Sequence, residues 1–413
     1  MTKYNNEFIN SEKERIIMKL SQRAASMEAS ATLAMTAKAK ALKREGKPII
    51  SFSVGEPDFD SPLCAQEAAF EAIKTGQTHY TPTPGIPELR EAIAAYYSEH
   101  FGLKYEPAQI VVGCGSKPLL YYSLGCLIDP GDEVIIPVPA WVSYVEQVKL
   151  YDGKEVLIDT TKTGYVPDIK QIEAAITPKT KAIMLNSPTN PKGAVYSEKT
   201  LLSIAELALK YKFVIFYDEI YERMVYGNAK HHNIVKLCPD VKDQTILFNG
   251  VSKAYAMTGW RIGYALGEKK LMSYVSDLQG HVTSNPTSIS QWATIAALKN
   301  AEPDIVKMVK AFDKRRELIV KILSEMPQIK LTMPEGAFYA WFDISELIGK
   351  KWKGHEITDD TKFCDLLLEQ KFVAAVMGSA FMTPGFVRLS YASSEEDIIE
   401  GTKRLKEFLS EIA

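Results

Sequence analysis

The sequence is short of cysteine, has no excess of either charge, and contains no long apolar run. Its five cysteines, Cys64, Cys114, Cys126, Cys238 and Cys364, lie far apart and form no C-x-x-C pair. An odd, scattered set excludes a disulfide framework or a zinc ribbon and fits a reducing, cytoplasmic setting. No uninterrupted apolar stretch approaches the roughly 18–20 residues that a membrane helix requires. The most apolar region, 134–148, is broken by Pro137 and Pro139. Lysine plus arginine number 49 against 51 for aspartate plus glutamate, so the formal net charge is −2. That balance lacks the basic excess needed to hold a phosphate backbone, and no nucleic-acid partner is expected. The N-terminal stretch mixes acidic and basic residues without an apolar centre, unlike a secretory signal or an acid-poor transit peptide. No internal repeat or low-complexity linker divides the chain.

What is present is ordinary globular composition. Over 413 residues, 46% are hydrophobic and 24% charged, enough apolar content to fill the cores of two or three domains. Seven short runs rich in Val, Ile, Leu or Phe stand out, at 109–112, 133–136, 155–158, 181–185, 213–217, 245–249 and 261–265. Continuous apolar runs of this length read as strands buried on both faces of a mainly parallel sheet. Helix-length amphipathic segments such as 198–211 separate most of them, which argues an α/β fold with helices on both sides. The last two runs are joined too tightly for a helical crossover, so one of them is expected to run antiparallel.

Beyond about residue 287 the texture changes to long helical patterns at 290–300 and 304–325. Strand-like runs at 338–342 and 386–390 then flank a helical stretch at 361–370. Ser393 followed by Glu396 reads as a capping box for a final helix. The expected organisation is a large α/β domain over 63–305 with a mainly parallel seven-stranded sheet covered by helices. A smaller α+β domain is formed from 20–62 and 306–413, and 1–19 is an N-terminal extension. Residues up to about Pro62 have no core of their own and are expected to pack on the smaller domain or on a partner subunit.

Ligands in open α/β sheets sit beyond the carboxyl ends of the strands, and four motifs fall there. Val111-Val112-Gly113-Cys114-Gly115-Ser116-Lys117 leads from a strand into a helix opened by Pro118. It is a tight turn or a phosphate cradle of backbone N–H groups, and it fits neither the dinucleotide fingerprint nor Walker A. Asn186-Ser187-Pro188-Thr189-Asn190-Pro191-Lys192-Gly193 is a sharp loop whose amide could face a phenolate oxygen. Asp218 ends an apolar strand, where a buried carboxylate needs a helix to cap or a cation to face. Lys253 follows another strand end in apolar, aromatic surroundings, where desolvation lowers an amine's pKa as Schiff-base chemistry requires. A phosphate cradle, a phenolate partner, a carboxylate for a pyridinium and such a lysine together describe a pocket for pyridoxal phosphate.

With those residues in place, the chain resembles the class I aminotransferases of the aspartate aminotransferase fold, and within them the prokaryotic-type aspartate aminotransferases. The resemblance runs from about Arg23 to the C-terminus through SFSVGEPDFDSP, YTPTPGIPELREAIA, DPGDEVIIPVPAWVSY, NSPTNPKGAVY, YDEIYE, VSKAYAMTGWRIGYA, PEGAFYAWFD and VRLSYA. It implies pyridoxal 5′-phosphate as cofactor, Lys253 as the Schiff-base lysine and proton shuttle, and Asp218 on the pyridinium. Tyr221 and Asn190 would hold the ring oxygen, and Trp141 would stack on the ring face. Gly115, Ser116, Lys117, Ser252 and Arg261 would hold the phosphate, with Tyr80 reaching in from the other subunit of a homodimer. Arg388 would clamp the substrate α-carboxylate, aided by Gly55. Lys117, with Ser30 and Thr32, would receive a distal carboxylate, which favours aspartate and glutamate with oxaloacetate and 2-oxoglutarate. Prephenate, aromatic or alanine transamination, or another pyridoxal phosphate reaction, is the alternative on the same scaffold. A ligand-sensing regulator and a non-catalytic homologue are the other readings. The first would need a DNA-binding domain, for which the extension is too short, and the second is opposed by intact Lys253, Asp218 and Arg388. Lys192 departs from the family, which commonly has Thr there. His231 and His232 are adjacent and do not share a face as metal ligands would; Met257 and Trp260 are expected to pack the pocket.

Overall fold

The computed structural model describes Ser21, Met27 and residues 31–413. Ser30 and the possible helix at 10–20 lie outside the described residues. The described chain begins with helix α1 (Ala31–Arg44) and a short strand β1 (Ile50–Ser51), followed by helices α2 (Leu63–Lys74) and α3 (Pro87–Phe101). The larger sheet then takes β2 (Ile110–Gly113), β3 (Glu133–Val138), β4 (Lys154–Asp159), β5 (Thr180–Asn186), β6 (Val214–Asp218), β7 (Thr245–Gly250) and β8 (Gly263–Leu266). Their spatial order is β2-β8-β7-β6-β5-β3-β4. All neighbours pair in parallel except those of β8, which is antiparallel to both β7 and β2. The tight connection between the last two runs thus has the consequence expected of it.

Residues alternate between the two faces of this sheet, as a period of two requires. Ile135, Ile183, Ile215 and Leu247 enter one core, while Val134, Met184, Phe216 and Phe248 enter the other. Two-sided burial explains why these strands read as continuous apolar runs. The exception is β4, an edge strand with polar and exposed positions, which is not buried on both faces as expected. The run 261–265 starts two residues late, because Arg261 has φ +55 and ends a 3-10 turn before β8 begins.

A second, antiparallel sheet joins Val376–Met377, Phe386–Ser390, Tyr339–Asp343 and Lys330–Leu331 in that order. Helices Glu302–Ser324, Asp360–Lys371 and Glu395–Ser410 pack with it. Met35 and Ala39 of α1 enter its core, Lys38 of α1 ion-pairs with Asp365 and Glu369, and β1 pairs with Val373–Ala374. The segment before Pro62 therefore packs here within its own chain. The final helix is capped by Ser394, whose Oγ accepts from Asp397 N at 3.1 Å, and not by Ser393 as the capping-box pattern suggested. No helix among the described residues is long and apolar enough to cross a membrane.

Because β8 runs against the others, its beginning lies beside the ends of β2 and β7, with Gly263 paired to both Gly113 and Gly250. The carboxyl ends of six strands and the entry to β8 thus lie along one edge, and the second sheet stands over that edge.

Candidate active site

A cavity of about 420 Å³ opens where the two sheets meet. Ser116, Lys117, Trp141, Asn190, Asp218, Tyr221, Ser252, Lys253 and Arg261 line it from the larger sheet's edge. Gly55, Thr32 and Arg388 line it from the other side. Gly115 adjoins it as the N-cap of helix α4 (Ser116–Gly125). Tyr80 does not line it; its side chain is 93% exposed on the protein surface. Met257 and Trp260, expected to pack the pocket, do not line it either: Met257 is sealed in the core and Trp260 donates to Ser61 Oγ at 2.8 Å.

Each lining group is placed by its local backbone. Gly115 adopts φ +92, and a Cβ there would fall 2.4 Å from Arg261 Nη2. A Cβ on Gly263 would fall 2.1 Å from the backbone nitrogen of Ser116. Only glycine lets the strand ends close this tightly around the start of α4, which turns the helix N-terminus and the guanidinium of Arg261 toward one spot. Among the described residues, that guanidinium donates only to Thr258 O (2.9 Å) and Cys114 O (3.3 Å). In the strand Phe386–Ser390, Val387 and Leu389 enter the core, and alternation sends Arg388 the other way. Its Nη2 donates to Ser53 O at 2.9 Å and Nη1 to Asn190 Oδ1 at 3.0 Å. Its Nε is buried without a partner among the described residues, and the guanidinium lies 4.3 Å from the Tyr339 ring centroid.

Asp218 is fully enclosed. Its Oδ2 accepts from Tyr144 Oη at 2.7 Å and its Oδ1 from Ile220 N at 3.0 Å. Burial raises its carboxyl to about 6, against the opposing pull of those two hydrogen bonds. Lys253 donates from Nζ to Gly55 O at 2.5 Å. Burial lowers it from 10.5 to about 8, with Glu56 pulling the other way and Arg388 and Arg261 reinforcing the fall. Lys117 is also lowered, first by burial and then by Arg261, and its Nζ stands 4.6 Å from the Trp141 ring centroid. Tyr221 Oη is 2.8 Å from Tyr339 Oη. Among the described residues, none of Lys117, Lys253, Arg261 and Arg388 reaches a carboxylate within ion-pair distance. These cations face a space suited to anions.

Three contributors escaped the sequence reading. Tyr144 lies on helix α5 (Val142–Leu150), one turn beyond Trp141, and its register onto Asp218 has no signature beyond that spacing. Asn186 ends β5, donates to Asp218 O at 3.0 Å and accepts from Asn190 N at 2.9 Å, so it braces the Asn190 loop. Tyr339 packs under Arg388, and a Cβ on Gly55 would fall 2.5 Å from its hydroxyl.

Residues 47–405 match the family described as aminotransferase class I and II. The chain belongs to that family. It is 44% identical to an aspartate aminotransferase of Geobacillus stearothermophilus over 95% of this chain and 99% of that one. It is 43% identical to an aspartate/prephenate aminotransferase of Nitrosomonas europaea over 95% of this chain and all of the other. Its structure superposes on the aspartate aminotransferase from Thermus thermophilus solved with maleate, with a TM-score of 0.89 and 39% identity, covering 95% and 100% of the two chains.

For this aminotransferase the lowered lysine has a direct consequence. Trace labelling of the cofactor-free protein with an amine reagent, resolved by peptide, should give Lys253 a midpoint near pH 8. Solvated lysines should titrate about two units higher. A midpoint for Lys253 among the solvated lysines would remove the burial argument.

Proposed function

We propose that the enzyme uses pyridoxal 5′-phosphate to move the amino group between aspartate or glutamate and their 2-oxo acids, oxaloacetate and 2-oxoglutarate. The observation that carries the reading is the convergence of Lys253, Asp218 and Arg388 on one cavity from different elements. The residues present fit the cofactor. The glycine-closed cradle at the start of α4, with Arg261 and Ser252, suits its phosphate. Asp218, buried and with no cation at ion-pair distance among the described residues, suits a protonated ring nitrogen. Tyr221 and Asn190 would hold the ring oxygen, and Trp141 would cover the ring face.

When bound, the cofactor supplies an electron sink for the pair left behind as the substrate Cα–H is lost as a proton. The chain's own residues do the rest. Arg388 would grip the α-carboxylate with its planar fork, a geometry lysine does not offer. Asn190, braced by Asn186, orients that fork. Lys253 Nζ, made a competent base near neutral pH by burial, takes the Cα proton and later gives it up. Trp141 and Tyr221 help exclude water around these groups.

The distal carboxylate follows from charge. Lys40, Lys117, Lys253, Arg261 and Arg388 line the cavity against Glu56 and Asp218. With Arg261 on a phosphate, Arg388 on an α-carboxylate and Lys253 on the cofactor, Lys117 and Lys40 remain; Lys117, beside Trp141, would take a second carboxylate, with Thr32 lining the same cavity. Maleate, bound in the Thermus thermophilus structure, is a dicarboxylate. Prephenate also carries two carboxylates, and the Nitrosomonas europaea relative is named for it, so it is the second reading. Tyr80, exposed here, would complete the phosphate site of a partner copy in a homodimer. Five unpaired cysteines support a cytoplasmic setting.

A donor panel of aspartate, arogenate, tyrosine and alanine tests the substrate. Wild type should favour aspartate. Lys117→Ala should cut kcat/KM for aspartate about tenfold to a hundredfold, the worth of a charge-assisted contact, and leave alanine nearly unchanged. Preference for uncharged donors, with no effect of Lys117→Ala, would overturn the dicarboxylate reading.

A further inference from the structure

Behind Asp218 lies a second set of buried titratable groups that the chemistry above does not use. The turn after β6 sends Ile220 and Tyr221 to the cavity and Glu219 and Glu222 to the opposite side. Glu219 is completely enclosed. Its Oε1 lies 2.7 Å from His231 Nε2 and accepts from Asn233 Nδ2 at 2.9 Å, while its Oε2 accepts from Tyr97 Oη at 3.3 Å. Its backbone N–H donates to Phe248 O at 2.8 Å and prolongs the pairing of β6 with β7 past Asp218. Glu222 accepts from Tyr96 of α3. The His231 ring stacks on Tyr217 with centroids 6.0 Å apart, and Tyr217 Oη donates to His232 O at 2.7 Å.

We propose that Glu219, ion-paired with His231, is a positioning residue for the reaction: it anchors the turn that carries Asp218 and Tyr221, and His231 offsets its charge so that Asp218 stays ionised toward the cofactor ring. This rests on the cofactor reading above. A buried carboxylate one residue from Asp218 raises the cost of ionising Asp218 unless a cation balances it. His231, with Nε2 2.7 Å from Glu219 Oε1, is the group placed to supply it. Burial works against its charged form, but the bond to Glu219 and the charges of Glu219 and Glu222 outweigh burial and raise it above its ordinary value. The other titratable groups around the pair are Tyr96 and Tyr97 of α3, Tyr105, Tyr217, Tyr264, Tyr255, Arg223 and His232. The tyrosine hydroxyls there are held neutral, chiefly by burial. Arg223 is committed to Glu302, which leaves His231, among the described residues, as the basic group in contact with Glu219.

The test is a charge-cancelling pair of variants in the cofactor-loaded enzyme. His231→Gln leaves the Glu219 charge unbalanced and should move the acid limb of kcat/KM upward by about one pH unit. The pH midpoint of the bound cofactor's visible absorbance should move as well. Glu219→Gln combined with His231→Gln removes both charges and should return both readouts to within a few tenths of wild type. Limbs that stay put in the single variant, or that fail to return in the double, overturn the proposal and leave the pair a packing element. Should the single variant not fold, nitrogen NMR of wild-type His231 decides: both ring nitrogens protonated at pH 7 support the proposal, and a neutral ring there overturns it. Failure of wild type to take up pyridoxal phosphate would instead strike the cofactor reading.

Discussion

Lys253→Ala is expected to abolish turnover, with a loss of about ten-thousandfold or more, since a positioned general base alone supplies about 10²–10⁴. The visible absorbance of the bound cofactor should also change, because the amine that carries it is gone. The size of the effect follows from how little could replace this lysine. Asp218 is buried and held in hydrogen bonds to Tyr144 and Ile220. Lys117 leans on Trp141. An added small primary amine should restore a fraction of the rate, because the cavity and the carboxylate grip remain intact. Steady-state rates and a spectrum check this together, and near-normal turnover in the variant would remove the assignment.

Arg388→Lys should be the next most damaging change. A guanidinium engaging Ser53 O and Asn190 Oδ1, 4.3 Å from the Tyr339 ring centroid, is replaced by a point charge that cannot keep both bonds and grip a carboxylate. Truncating a buried, hydrogen-bonded charge contact costs about 2–5 kcal/mol, so kcat/KM should fall roughly thirtyfold to several thousandfold. The pattern across donors is as informative as the size. Every amino acid has an α-carboxylate, so all donors should suffer alike, whereas Lys117→Ala should act on donors with a second carboxylate. A loss confined to aspartate in Arg388→Lys would mean that the two cations have been assigned the wrong way round.

Much of this site was legible because its residues stand at strand ends, and strand ends are marked by where apolar runs stop. Asp218, Lys253 and the Gly113–Ser116 turn were found in that way. Arg388 and Tyr221 came instead through resemblance, since alternation tells which face of a strand an arginine occupies but not what it meets there. Tyr144 and Tyr339 were missed because their roles depend on contacts between elements far apart in sequence. His231 was set aside as one of two adjacent histidines. Its partner is Glu219, twelve residues earlier, and only the turn between them brings the two together. In the fold, the errors fell at edges: β4 is less buried than a central strand, and the 261–265 run starts late because Arg261 sits in a left-handed turn. The cap at Ser394 was misplaced by one residue, as either serine satisfies the pattern within a turn.

Borohydride treatment of the cofactor-loaded protein, followed by peptide mapping, tests the central assignment most directly. Reduction fixes the cofactor to whichever amine carries it. The account predicts one modified peptide, bearing the label on Lys253. Label on Lys117, on Lys192 or spread across surface lysines would contradict it.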